Sequence, residues 1–119
     1  MKILYVEDDT VARTYTEILL TGDEFSVQTA ENGVAGLELY RQQMFDVVLT
    51  DIDMPKMNGI ELLAEIKKIK SEQPVIALSA FTEDYEMDFL VSQGFSRVVS
   101  KPVSDIDSLK EILSHVVFG

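Results

Sequence analysis

The chain has 119 residues, 46% of them hydrophobic and 26% charged, with a formal net charge of −11 at pH 7 and no cysteine. These bounds describe one domain, spanning 1–119, that is large enough to bury a core. They exclude a disulfide framework or a thiolate site, and the acidity disfavours direct binding to nucleic acid.

No apolar run is long enough to cross a bilayer, so no membrane insertion is expected. No cationic leader precedes Ile3-Leu4-Tyr5-Val6, so no secretory signal is expected either. The lack of cysteine fits a reducing, cytoplasmic setting.

Apolar runs alternate with helical patterns along the whole chain. Lys2–Val6 reads as a buried strand that stops at Glu7-Asp8-Asp9. Asp8 or Asp9 can cap the helix that follows. Its expected apolar face is Ala12, Tyr15, Ile18 and Leu19, and it ends near Gly22. Phe25–Ala30 alternates Phe25, Val27 and Thr29 with polar neighbours, as an edge strand does. Asn32-Gly33 is a turn, followed by a helix with Leu37, Tyr40, Arg41 and Met44 on one side.

Asp46–Thr50 is the third strand, and Asn58 to Lys70 a helix lined by Leu62, Ile66 and Ile69. Pro55 stops the strand, and Gly59 is expected to turn the backbone. Pro74–Ser79 is a fourth apolar strand. A weaker helical pattern starts at Thr82 or Glu83 and runs to Gln93-Gly94. Arg97–Ser100 is the fifth strand, closed by Lys101-Pro102. The last helix starts near Asp105, with Ile106, Leu109, Ile112, Leu113 and Val116 as its stripe and His115 on its surface.

Five strands alternating with five helices predict an α/β fold, a (βα)5 doubly wound parallel sheet with helices on both faces. Ligands of such sheets bind beyond the carboxyl ends of the strands. Four strands end there in polar groups: Glu7-Asp8-Asp9, then Asp51 with Asp53, then Ser79, then Lys101.

Several carboxylates at one mouth repel, and a hard divalent cation offsets that repulsion. Mg²⁺ is the expected ion, with Mn²⁺ as a substitute. Asp8 and Asp51 are the expected direct ligands, Glu7 acts through water, and the backbone carbonyl of Asp53 completes the protein's share. A carboxylate beside a metal can be a nucleophile toward phosphorus. Asp51 is therefore the expected phosphoacceptor, with Lys101 and the Ser79 hydroxyl facing other phosphoryl oxygens. Two plainer readings stand beside this one. Lys101 is then a simple ion-pair partner, and Ser79 a strand-end hydroxyl bonded to backbone.

Tyr5-Val6-Glu7-Asp8-Asp9, Leu49-Thr50-Asp51-Ile52-Asp53-Met54-Pro55 with Asn58-Gly59, Ala77-Leu78-Ser79-Ala80 and Ser100-Lys101-Pro102 occur in this order. With these signatures the whole chain resembles the receiver domain of two-component response regulators, chemotaxis-regulator-like and flavodoxin-like in fold. The resemblance implies strand order 2-1-3-4-5 and a cis Lys101–Pro102 bond. It also implies phosphoryl transfer to Asp51 from a phosphohistidine on a sensor histidine kinase or a histidine phosphotransfer protein. Ser79 is then the switch hydroxyl and Lys101 the site cation. A downstream effector protein or domain is the implied output partner, on the face of the fourth helix, fifth strand and fifth helix. Homodimerisation on phosphorylation is a further implied outcome.

Two positions stand out within that resemblance. The family usually carries Tyr or Phe three residues before the site lysine, and here Val98 stands there. A β-branched side chain has few rotamers to exchange, so the readout is expected to use other elements. Phe81, two residues beyond Ser79, and the Asp53 side chain occupy positions expected to tune phosphate lifetime and access.

Two other functions compete. Asp51-Ile52-Asp53 also resembles the Asp-x-Asp of haloacid-dehalogenase-type phosphohydrolases, although their motif sits on the first strand and comes with cap segments. A receiver-like interaction domain that is never phosphorylated is the other alternative, and the complete acidic set argues against it.

Overall fold

The computed structural model describes residues 1–80 and 83–119. Among them run β1 (Lys2–Val6), α1 (Thr10–Leu20), β2 (Ser26–Ala30), α2 (Gly33–Gln42), β3 (Val47–Asp51), α3 (Gly59–Ile69), β4 (Val75–Ser79), α4 (Asp84–Gln93), β5 (Arg97–Ser100) and α5 (Ile106–Phe118). The strands form one parallel sheet in the order β2-β1-β3-β4-β5. That is the expected doubly wound architecture, with the half-solvated β2 at one edge. The fourth helix starts at Asp84; Thr82, the alternative start, lies outside the described residues.

Alternation along the strands builds two cores. Ile3, Tyr5, Val47, Leu49, Ile76 and Leu78 face one way and pack on Leu20 of α1 and Leu109 and Leu113 of α5. Leu4, Val6, Val48, Val75 and Ala77 face the other way and pack on α2, α3 and α4 through residues such as Leu37, Leu62, Ile66 and Leu90. Val98 joins this second cluster, partly buried. At roughly 25 cal/mol per Å², a fully buried Leu or Ile contributes about 2 kcal/mol. The central strands β1, β3 and β4 are therefore the most firmly held part of the fold.

Polar residues at four helix starts satisfy free N–H groups. Asp9 accepts from Val11 N–H at 3.1 Å and caps α1. Asn32 accepts from Ala35 N–H at 2.8 Å and caps α2. Asn58 and Glu61 form a reciprocal capping box on α3. Asp105 caps α5 through Ser108 N–H at 3.1 Å.

Three helical faces differ from expectation. On α1 the buried residues are Thr16 and Leu20, while Tyr15 and Ile18 are exposed. On α2 Gly33, Gly36, Leu37 and Tyr40 are buried, and Met44 lies beyond the helix in solvent. On α3 Leu63 is buried and Ile69 is exposed. Periodicity finds the helix, but the neighbouring surface selects the face. A Cβ at Gly36 would sit 2.8 Å from Val6 Cγ2, so a missing side chain lets α2 approach β1.

The β3–α3 loop differs as well. The left-handed backbone falls on Lys56, with φ of 69°, and Met57 N–H donates to Pro55 O at 2.8 Å across it. Gly59 is needed for a different reason: a Cβ there would stand 2.4 Å from the Asp51 carbonyl oxygen. The loop folds so closely on the end of β3 that only glycine fits.

Candidate functional site

The strand geometry delivers the site. Glu7, Asp51 and Lys101 continue the alternation of Tyr5, Leu49 and Val99, the sheet face covered by α1 and α5. They meet at the carboxyl ends of β1, β3 and β5. Lys101 Nζ donates to Asp51 Oδ2 at 3.0 Å and lies 2.9 Å from Glu7 Oε1. The Glu7 contact is an ion pair, and it is the only charge partner described for the buried Oε1. Asp51 Oδ1 accepts from Ile52 N–H at 2.8 Å.

The electrostatics follow from burial. Glu7 is fully buried, and loss of water pushes its carboxyl up to about 7; Lys101 opposes this and the Asp51 charge adds to it. Burial by itself would lower the Lys101 ammonium. The Glu7 and Asp51 carboxylates outweigh that effect and hold it above its ordinary value. Lys101 is therefore a fixed positive charge at neutral pH.

Because Asp9 caps α1, Asp8 is left facing the mouth. One carboxylate oxygen from each of Glu7, Asp8 and Asp51 lies within 4.8 Å of the others. This all-oxygen set of three carboxylates fits a hard divalent cation. Asp53 is exposed at the loop beyond Asp51.

Ser79 ends β4, buried, and its carbonyl accepts from Lys101 N–H at 2.8 Å, which places it beside the cation's backbone. Its side chain continues the face of Val75 and Ala77. The Lys101–Pro102 bond is cis. Phe81, the expected tuning residue, lies outside the described residues.

One contributor escaped sequence reasoning. Arg13 reaches back from α1 and donates to the Glu7 carbonyl at 2.8 Å, tying down the loop that presents Asp8. A cation one turn into a helix that follows three acids was the available signal. Its partner, however, is a backbone oxygen, which no side-chain pattern reveals.

A doubly wound parallel sheet whose carboxyl edge gathers three acids, two of them paired with a lysine, defines an α/β signalling domain of receiver type. The chain belongs to the response regulator receiver domain family, whose model matches residues 3–114. It is 38% identical over 116 residues to the transcriptional regulatory protein ZraR of Klebsiella oxytoca, covering 97% of this chain and 26% of that protein. It is 37% identical over 119 residues to the two-component response regulator ARR12 of Arabidopsis thaliana, covering 98% of this chain and 20% of that one. The chain thus spans about a quarter or less of the length of these relatives.

Among solved structures it resembles the Francisella response regulator 1452 receiver domain, with TM-score 0.90, 26% identity and coverage of 98% and 95%. It also resembles the response regulator TrrA of Thermotoga maritima in complex with Mg(2+)-BeF, with TM-score 0.84, 30% identity and 97% coverage of both chains. Domains of this family are signalling domains rather than turnover enzymes. No helix among the described residues is long and apolar enough to cross a membrane.

Proposed function

We propose that the chain is a phosphorylation-dependent switch, in which Asp51 takes a phosphoryl group from a partner's phosphohistidine. The observation that carries this reading is the Asp51 carboxylate held between Lys101 and the Glu7–Asp8 acids. An Asp51 oxygen attacks phosphorus, the P–N bond breaks and its electron pair stays on nitrogen, and the donor ring, protonated on its other nitrogen, leaves as neutral imidazole. Both Asp51 oxygens are engaged at rest, Oδ1 by Ile52 N–H and Oδ2 by Lys101. Lys101, on a flexible stem, shifts from the carboxylate to a phosphoryl oxygen as charge moves there. Ser79 donates its hydroxyl to another.

Glu7, Asp8, Asp51 and the Asp53 carbonyl would hold Mg²⁺, Glu7 through water; Mn²⁺ suits the same oxygens. When bound, the ion neutralises charge on the transferred group. TrrA is solved in complex with Mg(2+)-BeF, which supports a Mg²⁺ site in this chain.

The donor is read as a sensor histidine kinase or a histidine phosphotransfer protein. Exposed Val11, Tyr15 and Ile18 make an apolar stripe along α1. The stripe leads to a cleft of about 420 Å³ that includes Glu7, Asp9, Val11, Tyr15 and Lys101. A helical donor can seat there with its phosphohistidine over the mouth. The output is a change in the α4–β5–α5 surface, read by an effector or a second copy, in a cytoplasmic pathway. With Val98 half-buried against the core and few rotamers open to it, the change travels through backbone and helix movement.

Phosphoramidate, whose P–N bond stands in for phosphohistidine, tests the reading. One acyl phosphate per chain, mapped to Asp51 by borohydride reduction and peptide sequencing, is expected. Repeated turnover of a phosphate ester without a stable adduct would favour the phosphohydrolase alternative. Absence of any adduct would favour the unphosphorylated interaction domain.

A further inference from the structure

The flank of α4 turned towards α3 carries a feature that phosphoryl transfer leaves unused. α4 bears Asp84, Glu86 and Asp88 and no basic residue. Tyr85 and Phe89, one helical turn apart, are 71% and 53% exposed. With Ile52, Asp53, Ile60 and Glu86 they line a cleft of about 510 Å³ floored by Leu90. Val91, also exposed, projects about 200° around the helix from Phe89, at 100° per residue, and so lies on a different flank.

Two aromatic rings held in water beside Ile52 and Ile60 form the contiguous apolar surface that soluble domains keep for partners. The charged groups around that surface, among the described residues, are acidic. Glu86 Oε2 is buried without a hydrogen-bond partner, while Asp53 stands at the rim. The Glu86 carboxylate also lies close enough to the Tyr85 phenol to hold it above its ordinary value. Among the described residues, no Lys or Arg lines the cleft. An incoming cation would pair with the Glu86 and Asp53 carboxylates at this cleft. The hydrocarbon stem of Lys or Arg suits the aromatic walls, and its charged end favours their faces.

We propose that the α3–α4 cleft is a docking site for a basic amphipathic segment of a partner protein. A Lys or Arg of that segment inserts beside Tyr85 and Phe89 and pairs with Glu86. The complementarity is of charge and of shape: an acidic, aromatic-walled slot meets a cationic side chain on an apolar helix face. The occupant would touch Ile52, whose N–H holds Asp51 Oδ1.

The probe is a labelled amphipathic helix of leucine and arginine, titrated into isotope-labelled protein. Neither Mg²⁺ nor phosphodonor is present, so failure here is separate from failure of phosphoryl transfer. Expected are saturable binding and amide shifts at Ile52, Ile60 and Tyr85–Leu90. Binding weakens by about tenfold in Phe89→Ser and in Glu86→Gln, and is unchanged in Glu111→Gln on α5, which removes the same charge elsewhere. The proposal is overturned by absent or unsaturable binding, by shifts centred on α1 or α5, or by cleft variants that bind like the parent. Concentration-dependent shifts at the cleft without peptide would assign it to a second copy and overturn the proposal too.

Discussion

Lys101 and Asp51, 50 positions apart in the chain, meet through a 3.0 Å hydrogen bond at the carboxyl edge of the sheet. Glu7, 2.9 Å from the same ammonium, makes Lys101 the shared counter-ion of two buried carboxylates. Lys101→Met leaves those carboxylates facing each other without a cation. Phosphoryl uptake by Asp51 is expected to slow by about 10²-fold, the typical loss for one transition-state donor. The metal-free melting temperature should also fall, and Mg²⁺ should recover more of it in the variant than in the parent. Timed intact-mass spectra and thermal melts with and without Mg²⁺ check both parts.

The Arg13 tether to the Glu7 carbonyl supports the loop without touching the reacting atoms. In Arg13→Ala the loop carrying Asp8 is freer. Mg²⁺ affinity is expected to drop by about tenfold, at the lower end for loss of an outer support. Calorimetric titration measures it. An affinity equal to the parent's would show that the loop is held by Asp9 and the strand alone.

Glu7 makes stability depend on pH in the metal-free protein. Its carboxyl is pushed from 4.5 up to about 7, so between those values the folded chain binds the proton and the unfolded chain does not. Stability from this group is therefore greatest below about 4.5 and is lost as pH rises through 7. In chelator, Glu7→Gln is expected to be more stable than the parent at pH 8 and to lose that advantage by pH 5. Paired melts across that range give the difference directly.

Lys56 holds a left-handed backbone at φ 69° while exposed to solvent. Lys56→Gly removes the clash that a Cβ suffers there and is expected to stabilise the fold by about 1 kcal/mol. Urea unfolding measures it. Gly59→Ala should act oppositely and more strongly, because the added carbon meets the Asp51 backbone at 2.4 Å.

The strands and the site edge were legible because the central strands are almost wholly apolar and end abruptly in acids. Asp51, Glu7 and Lys101 could be placed together once each was assigned to a strand end. The helix faces were less legible. Tyr15, Ile18, Met44 and Ile69 are apolar and at helical spacing or close to it, yet exposed, while Thr16 and Gly36 are buried. Which side of a helix is covered depends on the sheet and on neighbouring helices, and a small residue allows close approach where a large one does not. The Arg13 tether and the close passage of Gly59 past Asp51 involve backbone oxygens. Their origin is tertiary, so no local pattern announces them.

Intact mass after incubation with acetyl phosphate and Mg²⁺ tests the central claim most directly. A single phosphoryl adduct is expected, suppressed by chelator and absent in Asp51→Asn. No adduct with any small phosphodonor, or an adduct that persists in Asp51→Asn, would contradict the assignment of Asp51 as the phosphoacceptor.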